Sequence, residues 1–306
     1  MPDSHTDRLT RARSALEGLS VADAFAGFFE MARPSVLAEF VRARRLVNPP
    51  WRFTDDTSMA LSIYEILRDC EGIDQDRLAR SFGIRYDIRR GYGMAMHHLL
   101  PLYRQGADWR DLAASLFQGT GSFGNGAAMR VAPVGGYFAD NLQLAVENAH
   151  RSAEVTHAHP EAIAGAIAVA VAAVLAYRLR AASPRPTRQE FLDLVLPHVP
   201  TGDVLAGIQS ARDLPPGTPV QDAVQKLGNG SQISAQDTVP FTLWCAGEQL
   251  NSYEEAFWLT LSGGGDADTT CAIVGGIVAL STGHDAIPAE WRTRREPLPE
   301  WAVRDI

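Results

Sequence analysis

Cysteine is scarce in this chain. Cys70, Cys245 and Cys271 are its only three, far apart and without C-x-x-C spacing. That pattern excludes a disulfide framework and a cysteine-built zinc site, and it suits a reducing cytoplasm, the compartment we expect. Clustered positive charge is also lacking. With 28 Lys and Arg against 36 Asp and Glu the formal net charge is −8, which argues against a nucleic-acid surface, because counterion release needs grouped cations. The run Arg42-Ala43-Arg44-Arg45 is short and isolated, and reads as a solvated face or a local anion contact. Long apolar stretches are missing too. The most apolar one, Ala162 to Tyr177, is shorter than the roughly 20 residues a bilayer span needs, and it is rich in Ala and Gly. A helix buried in a soluble protein is therefore expected, with no membrane partner. The first eight residues lack the apolar core of a signal peptide.

Period-two alternation is scarce as well, so a sheet finds little support. What the chain has instead is helical spacing, over Leu9–Leu19, Ser58–Leu67, Gln75–Phe82, Leu112–Phe117, Asn141–Arg151, Glu161–Ala182, Arg188–Leu196, Val204–Ala211, Glu254–Ser262 and Thr269–Ser281. Pro and Gly clusters at 48–50, 183–186 and 214–219 mark connections, none long enough to require a domain linker. A hydrophobic content of 46% is ample for a core. The expectation is one all-α domain over residues 1–306, a compact orthogonal bundle of many helices and a monomer by default.

Three constellations carry chemistry. Phe53-Thr54-Asp55-Asp56-Thr57 stands just before a helical segment. Its carboxylates and hydroxyls are hard oxygen donors of the kind Mg²⁺, Mn²⁺ or Ca²⁺ prefer. The same residue types also cap helix N-termini, and a cap and a metal site can coexist. The segment Ser262-Gly263-Gly264-Gly265-Asp266-Ala267-Asp268-Thr269-Thr270 repeats this chemistry near the other end of the chain. Together the two could supply four carboxylates and two hydroxyls, enough for a binuclear site whose ions neutralise the clustered charge. Neither follows EF-hand spacing. The third constellation, Gly121-Ser122-Phe123-Gly124-Asn125-Gly126-Ala127-Ala128-Met129-Arg130, is a phosphate cradle or a structural turn. It matches neither a P-loop nor a Rossmann fingerprint in context.

Two smaller features stay open from residues alone. His157, in Thr156-His157-Ala158-His159-Pro160, is a ligand contact or a capping residue, and no further His or Cys completes a zinc site. Asp23 and Glu30 lie about two helical turns apart if one helix runs through both. They would then share one side of an apolar segment, where a raised pKa suits acid–base work, or else they belong to a solvated face.

Taken together, these motifs resemble the ADP-ribosylglycohydrolase family, which includes the dinitrogenase reductase-activating glycohydrolases. The resemblance runs in order through Asp23…Glu30, Phe53–Thr57, Arg90-Gly91-Tyr92-Gly93, Gly121–Arg130, Thr156-His157, Gly228-Asn229-Gly230…Thr238-Val239-Pro240 and Gly264–Thr269. It implies an all-α fold with two Mg²⁺ or Mn²⁺ ions in a central cleft. Matched by motif, the ligands would be Thr54, Asp55, Asp56, Asp266, Asp268 and Thr269. Gly121, Ser122, Phe123, Gly124, Asn125 and Gly126 would hold the diphosphate and adjoining ribose, with His157 alongside and Ser231 near the adenine. Glu30, Asp55 and Asp56 would be the catalytic acids. The sequence departs from the family at Ala22-Asp23-Ala24-Phe25-Ala26, where the usual Gly-Asp-Ala-x-Gly has two glycines. Arg90-Gly91-Tyr92-Gly93 stands where arginine-directed members carry Asp-Ile-Gly, and with Glu30 it resembles the serine-directed branch.

The implied activity is metal-dependent hydrolysis of the glycosidic bond between ADP-ribose and an acceptor, a protein serine ahead of arginine. A protein that binds ADP-ribose or serves a structural role without turnover, or a hydrolase of a non-protein ADP-ribose conjugate, is the alternative. Six intact ligand candidates favour the enzyme.

Overall fold

A computed structural model describes residues 3–30 and 32–303. Among them are seventeen α-helices and five short 3-10 turns, with no strand; two isolated bridges, Trp51 to Arg295 and Gly124 to Ser234, tie loops together. The all-α expectation is borne out.

Two helices form the spine. His5–Ala26 starts from a capping box at Ser4 and Asp7 and is almost wholly buried from Ala15 onward. Ala267–Thr282 is buried over nearly its whole length. They lie side by side at backbone distance. A Cβ built on Gly275 would come within 2.6 Å of both the Ala22 Cβ and the Gly18 carbonyl oxygen, so only glycine permits this approach. The Tyr253 hydroxyl donates to that same Gly18 oxygen (2.6 Å).

Pro160–Arg178 is the one helix among the described residues long and apolar enough to cross a membrane. Here it is a core element, buried without interruption from Ala164 to Ala176 and packed by Ala132–Tyr137, Leu142–Glu154, Ala235–Glu248 and Ala267–Thr282. It ends at Arg178, short of the Ala182 expected from sequence.

Several helices lie outside the sequence-based set. Pro34–Ala43, Met94–Arg104, Val220–Leu227 and Ala235–Glu248 are the main ones. The last is buried on nearly every side and carries Pro240 inside it, so it shows no one-sided stripe and a residue that argues against a helix. Leu112–Phe117 is corrected in the other direction. Backbone at Leu116 is extended, and Phe117 and Gln118 are left-handed at φ 51° and 62°, so regular helix stops before Leu116.

Asp23 and Glu30 are also not two turns apart on one helix. The first helix ends at Ala26 and a Gly27–Phe29 3-10 turn follows, leaving Glu30 beyond it.

Candidate active site

The Asp55–Cys70 helix begins at Thr54, whose side chain accepts from the Asp56 N–H. The cap reading of this motif is therefore right as far as Thr54 goes. What the sequence hid is who supports the rest of the turn. Asp23, fully buried on the neighbouring helix, accepts from the Thr54 N–H (3.0 Å), the Thr57 N–H (3.2 Å) and the Thr57 hydroxyl (2.5 Å), and lies 2.8 Å from the Thr54 hydroxyl. With those roles filled from outside, Asp55 and Asp56 are left to the cavity.

Opposite them, Gly264 and Gly265 turn the chain through positive φ (63° and 72°) into the Ala267–Thr282 helix. Asp266 occupies its N-cap position without accepting a bond from the first turn. Its carboxylate receives the Asn125 side-chain N–H (2.7 Å) instead, and Asn125 also donates to Thr238 (3.0 Å). Asp268 accepts from the Thr269 N–H (3.0 Å).

Both acidic turns open on one cavity of ≈ 460 Å³. Its lining brings together Glu30, Asp55, Asp56, Ser122, Phe123, Gly124, Asn125, Gly126, His157, Asp266, Asp268 and Thr269. Three expected site residues lie off the lining. Thr54 sits beneath it, between Asp23 and Asp56. Gly121 is held against the backbone of Ala158 and His159. Ser231 is solvent-exposed, although its neighbours Gln232 and Ile233 do line the cavity.

The electrostatics of the acid cluster suit a hard cation. Carboxylate oxygens of Asp23, Asp56 and Asp268 lie within 4.8 Å of one another. Among the described residues no Arg, Lys or His forms an ion pair with any of the five aspartates or with Glu30. Asp56 Oδ1 is buried and has no hydrogen-bond partner. Burial first, and the neighbouring Asp268 next, push Asp23 up to about 7. Burial and then Asp266 raise Asp268 to about 7, and burial with like charge drives Asp55 and Asp56 well above the carboxylate range. Glu30, exposed at the mouth, is raised by desolvation and then by Asp268. An unpaired buried oxygen among like charges is expensive unless a cation joins it, and a purely oxygen donor set fits a hard divalent ion.

His157 behaves oppositely: burial, then the Arg130 charge, push it down to about 3. The same lining carries exposed apolar side chains. Met94, Phe117, Phe123 and Ile233 are 86%, 53%, 39% and 63% exposed, and the Phe117 and Phe123 rings lie 6.1 Å apart. Left-handed backbone at Phe117 and Ile233 helps to aim these two side chains. Sequence reasoning missed Asp23 as a member of the acid cluster, and Met94, Phe117 and Ile233 altogether. Asp23 stood within the quoted motif, but its partners are some thirty residues away.

Arg90 has a structural place. It donates to the Phe53 carbonyl (2.7 Å), pairs with Glu296 and lies over the Phe53 ring at 3.9 Å, bracing the segment that leads into the first acidic turn.

The comparisons with known proteins agree with this geometry. The sequence profile of ADP-ribosylglycohydrolase matches residues 4–305. The human protein named ADP-ribosylhydrolase ARH3 is 28% identical over 95% of this chain and 91% of its own length. A Serratia proteamaculans protein named ADP-ribosylarginine hydrolase Tri1 is 25% identical over 95% of this chain and 76% of its own. A solved structure titled ADP-ribosylglycohydrolase-related protein complex superposes with a TM-score of 0.60 at 26% identity, covering 97% of this chain and 94% of that one. The buried acids, the glycine loop facing them and a match along nearly the whole chain make this protein a member of the ADP-ribosylglycohydrolase family, a glycohydrolase of ADP-ribose linkages.

Proposed function

We propose that the chain hydrolyses the O-glycosidic bond between ADP-ribose and a serine side chain of a modified protein, with two divalent ions, Mg²⁺ or Mn²⁺, held at the acidic end of the cavity. The observation that carries this reading is the orphaned Asp56 Oδ1 within a set of buried carboxylates that no protein cation balances. Asp55, Asp56, Asp266 and Asp268 would hold the ions, helped by the hydroxyls of Thr54 and Thr269. Bound there, they would supply Lewis acidity beside the distal ribose.

The remaining work falls to the chain itself. The Ser122–Gly126 edge and His157 line the cavity, and the diphosphate would lie along them. The Phe117 and Phe123 rings offer flat apolar surface to the adenine. Cleavage passes through an oxocarbenium-like transition state, so one acid must protonate the leaving oxygen and one base must take a proton from water. Glu30, raised by desolvation, suits the proton donor at the mouth, where the acceptor side chain would enter. Asp56, deep in the cavity, suits the base.

Serine needs that donor more than arginine does. An alkoxide is a poor leaving group without a proton, whereas guanidine is itself a strong base. The Arg90-Gly91-Tyr92-Gly93 motif and the position of Glu30 support the same choice.

The test is release of free ADP-ribose from matched serine- and arginine-modified peptides, with Mg²⁺ and with a chelator. Chelator-sensitive release from the serine peptide is expected. Release from the arginine peptide alone would reassign the acceptor, and no release from either by folded protein would leave a binding function.

A further inference from the structure

Arg130 is 0% exposed, and among the described residues no carboxylate pairs with it. Its guanidinium rests over the Phe82 ring at 4.6 Å, while Nη2 donates to the Ser152 carbonyl and to Thr156 Oγ1, both at 2.8 Å. Thr156 Oγ1 in turn lies 2.7 Å from His157 Nδ1. Arginine has donors only, so the threonine oxygen must accept from it. The one hydroxyl proton then has a single acceptor in reach among the described residues, His157 Nδ1. A nitrogen that accepts carries no proton, which places the ring proton on Nε2.

Nε2 faces the glycine loop. A Cβ on Gly126 would come within 2.9 Å of it and one on Gly124 within 3.3 Å. Among the described residues Nε2 has no hydrogen-bond partner, and His157 lines the reaction cavity. A side chain at either glycine would crowd Nε2, so the two glycines keep that edge free of a competing side chain beside a directed N–H.

We infer that Arg130 and Thr156 are positioning residues that lock His157 as its Nε2–H tautomer, a neutral donor aimed at an anionic oxygen of the substrate. That the anion is the diphosphate of ADP-ribose rests on the function proposed above; the tautomer does not. The ring gives direction without charge, and it keeps that character across the pH range in which a free imidazole titrates.

The experiment uses full-length protein labelled with ¹⁵N-histidine, with the His157 signals assigned by their loss in His157→Gln. An unprotonated-type shift at Nδ1 and a protonated-type shift at Nε2, constant through the normal imidazole titration range, are expected. A protonated Nδ1, or averaged shifts, overturns the inference. Arg130 is too deeply buried to replace cleanly, so Thr156 carries the functional arm. Thr156→Val removes the relay at nearly constant shape and should mix the tautomers. It should also raise KM for an ADP-ribose conjugate roughly tenfold with a smaller change in kcat. Thr156→Ser should restore both. Wild-type shifts and KM in Thr156→Val would overturn the relay. Failure of the wild type to bind ADP-ribose would instead sink the proposed function, and the tautomer result would stand by itself.

Discussion

At the Asp55–Cys70 helix, Thr54 caps its own first turn, and Asp23 reaches across from another helix to accept the Thr54 and Thr57 N–H groups. At the Ala267–Thr282 helix, Asp266 stands at the N-cap but caps nothing, and Asn125 holds its carboxylate instead. The sequences at these two starts are alike, two aspartates beside threonine. Their structural duties are not. One start borrows a carboxylate to finish its backbone and so frees its own acids. The other spends Asp268 on its own Thr269 N–H and leaves Asp266 to Asn125. Acid count alone does not reveal which carboxylate serves the fold and which serves the cavity.

The largest expected break in that comparison is catalytic. Asp56→Asn and Asp268→Asn, one from each start, should each lower kcat by at least about a hundredfold if both hold ions that act on the substrate. Near wild-type turnover in either would remove its start from the mechanism.

The pH dependence of stability comes next. Asp23 and Asp268 are raised to about 7 in the folded chain from 3.8. Between those values the folded state holds more protons than the unfolded state, so stability falls as pH rises from about 4 to 7. Calorimetry on metal-free protein should show Tm decreasing through that window, and saturating Mg²⁺ or Mn²⁺ should flatten the slope. A metal-free Tm that rises over the same window would contradict the acid cluster as described.

Third, Asp23→Ala should cost about 2–3 kcal/mol in urea unfolding with Mg²⁺ present, because it strands buried N–H groups. In metal-free protein Asp266→Ala should cost less than Asp23→Ala, about 1 kcal/mol, since Asp266 caps no turn and only one Asn125 N–H loses its partner. Equal losses would erase the distinction between the two starts. Thr54→Ala should cost about 1 kcal/mol for a lost cap, a loss of the same small size, read in the same titrations.

Much of the site was legible because it is made of turns. Glycine pairs and Thr–Asp clusters announce helix starts with little help from the rest of the fold; the spacing places those helices from Ser58 and Thr269, and the structure caps them a few residues earlier, at Thr54 and Asp266. The all-α class followed from helical spacing and the scarcity of alternation. Long-range relations were not legible. Asp23 meets Thr54 and Thr57 only once two helices have packed, and nothing in its local sequence distinguishes an anchor from a solvated acid. Ala235–Glu248 hid because burial on every side leaves no stripe to read. Phe117 looked like the end of a helix, while its left-handed backbone sends it to the cavity rim. Ser231 shows the opposite limit: its loop reaches the cavity, yet its own side chain is exposed and the two residues after it form the lining.

Ala22 and Ala26 stand where the family's usual motif carries glycine. At Ala22 the space is supplied from the other side, because its methyl lies where a Cβ on Gly275 would have to be. Gly275 stands two turns along the helix from Asp268, and Gly18 little more than one turn from Asp23. Backbone touching backbone at this point works like the pivot of a caliper whose jaws are the two carboxylates. The gap between those acids is then gauged away from the cavity, by the absence of a methyl group, and a single added carbon there would widen the instrument without touching its tips.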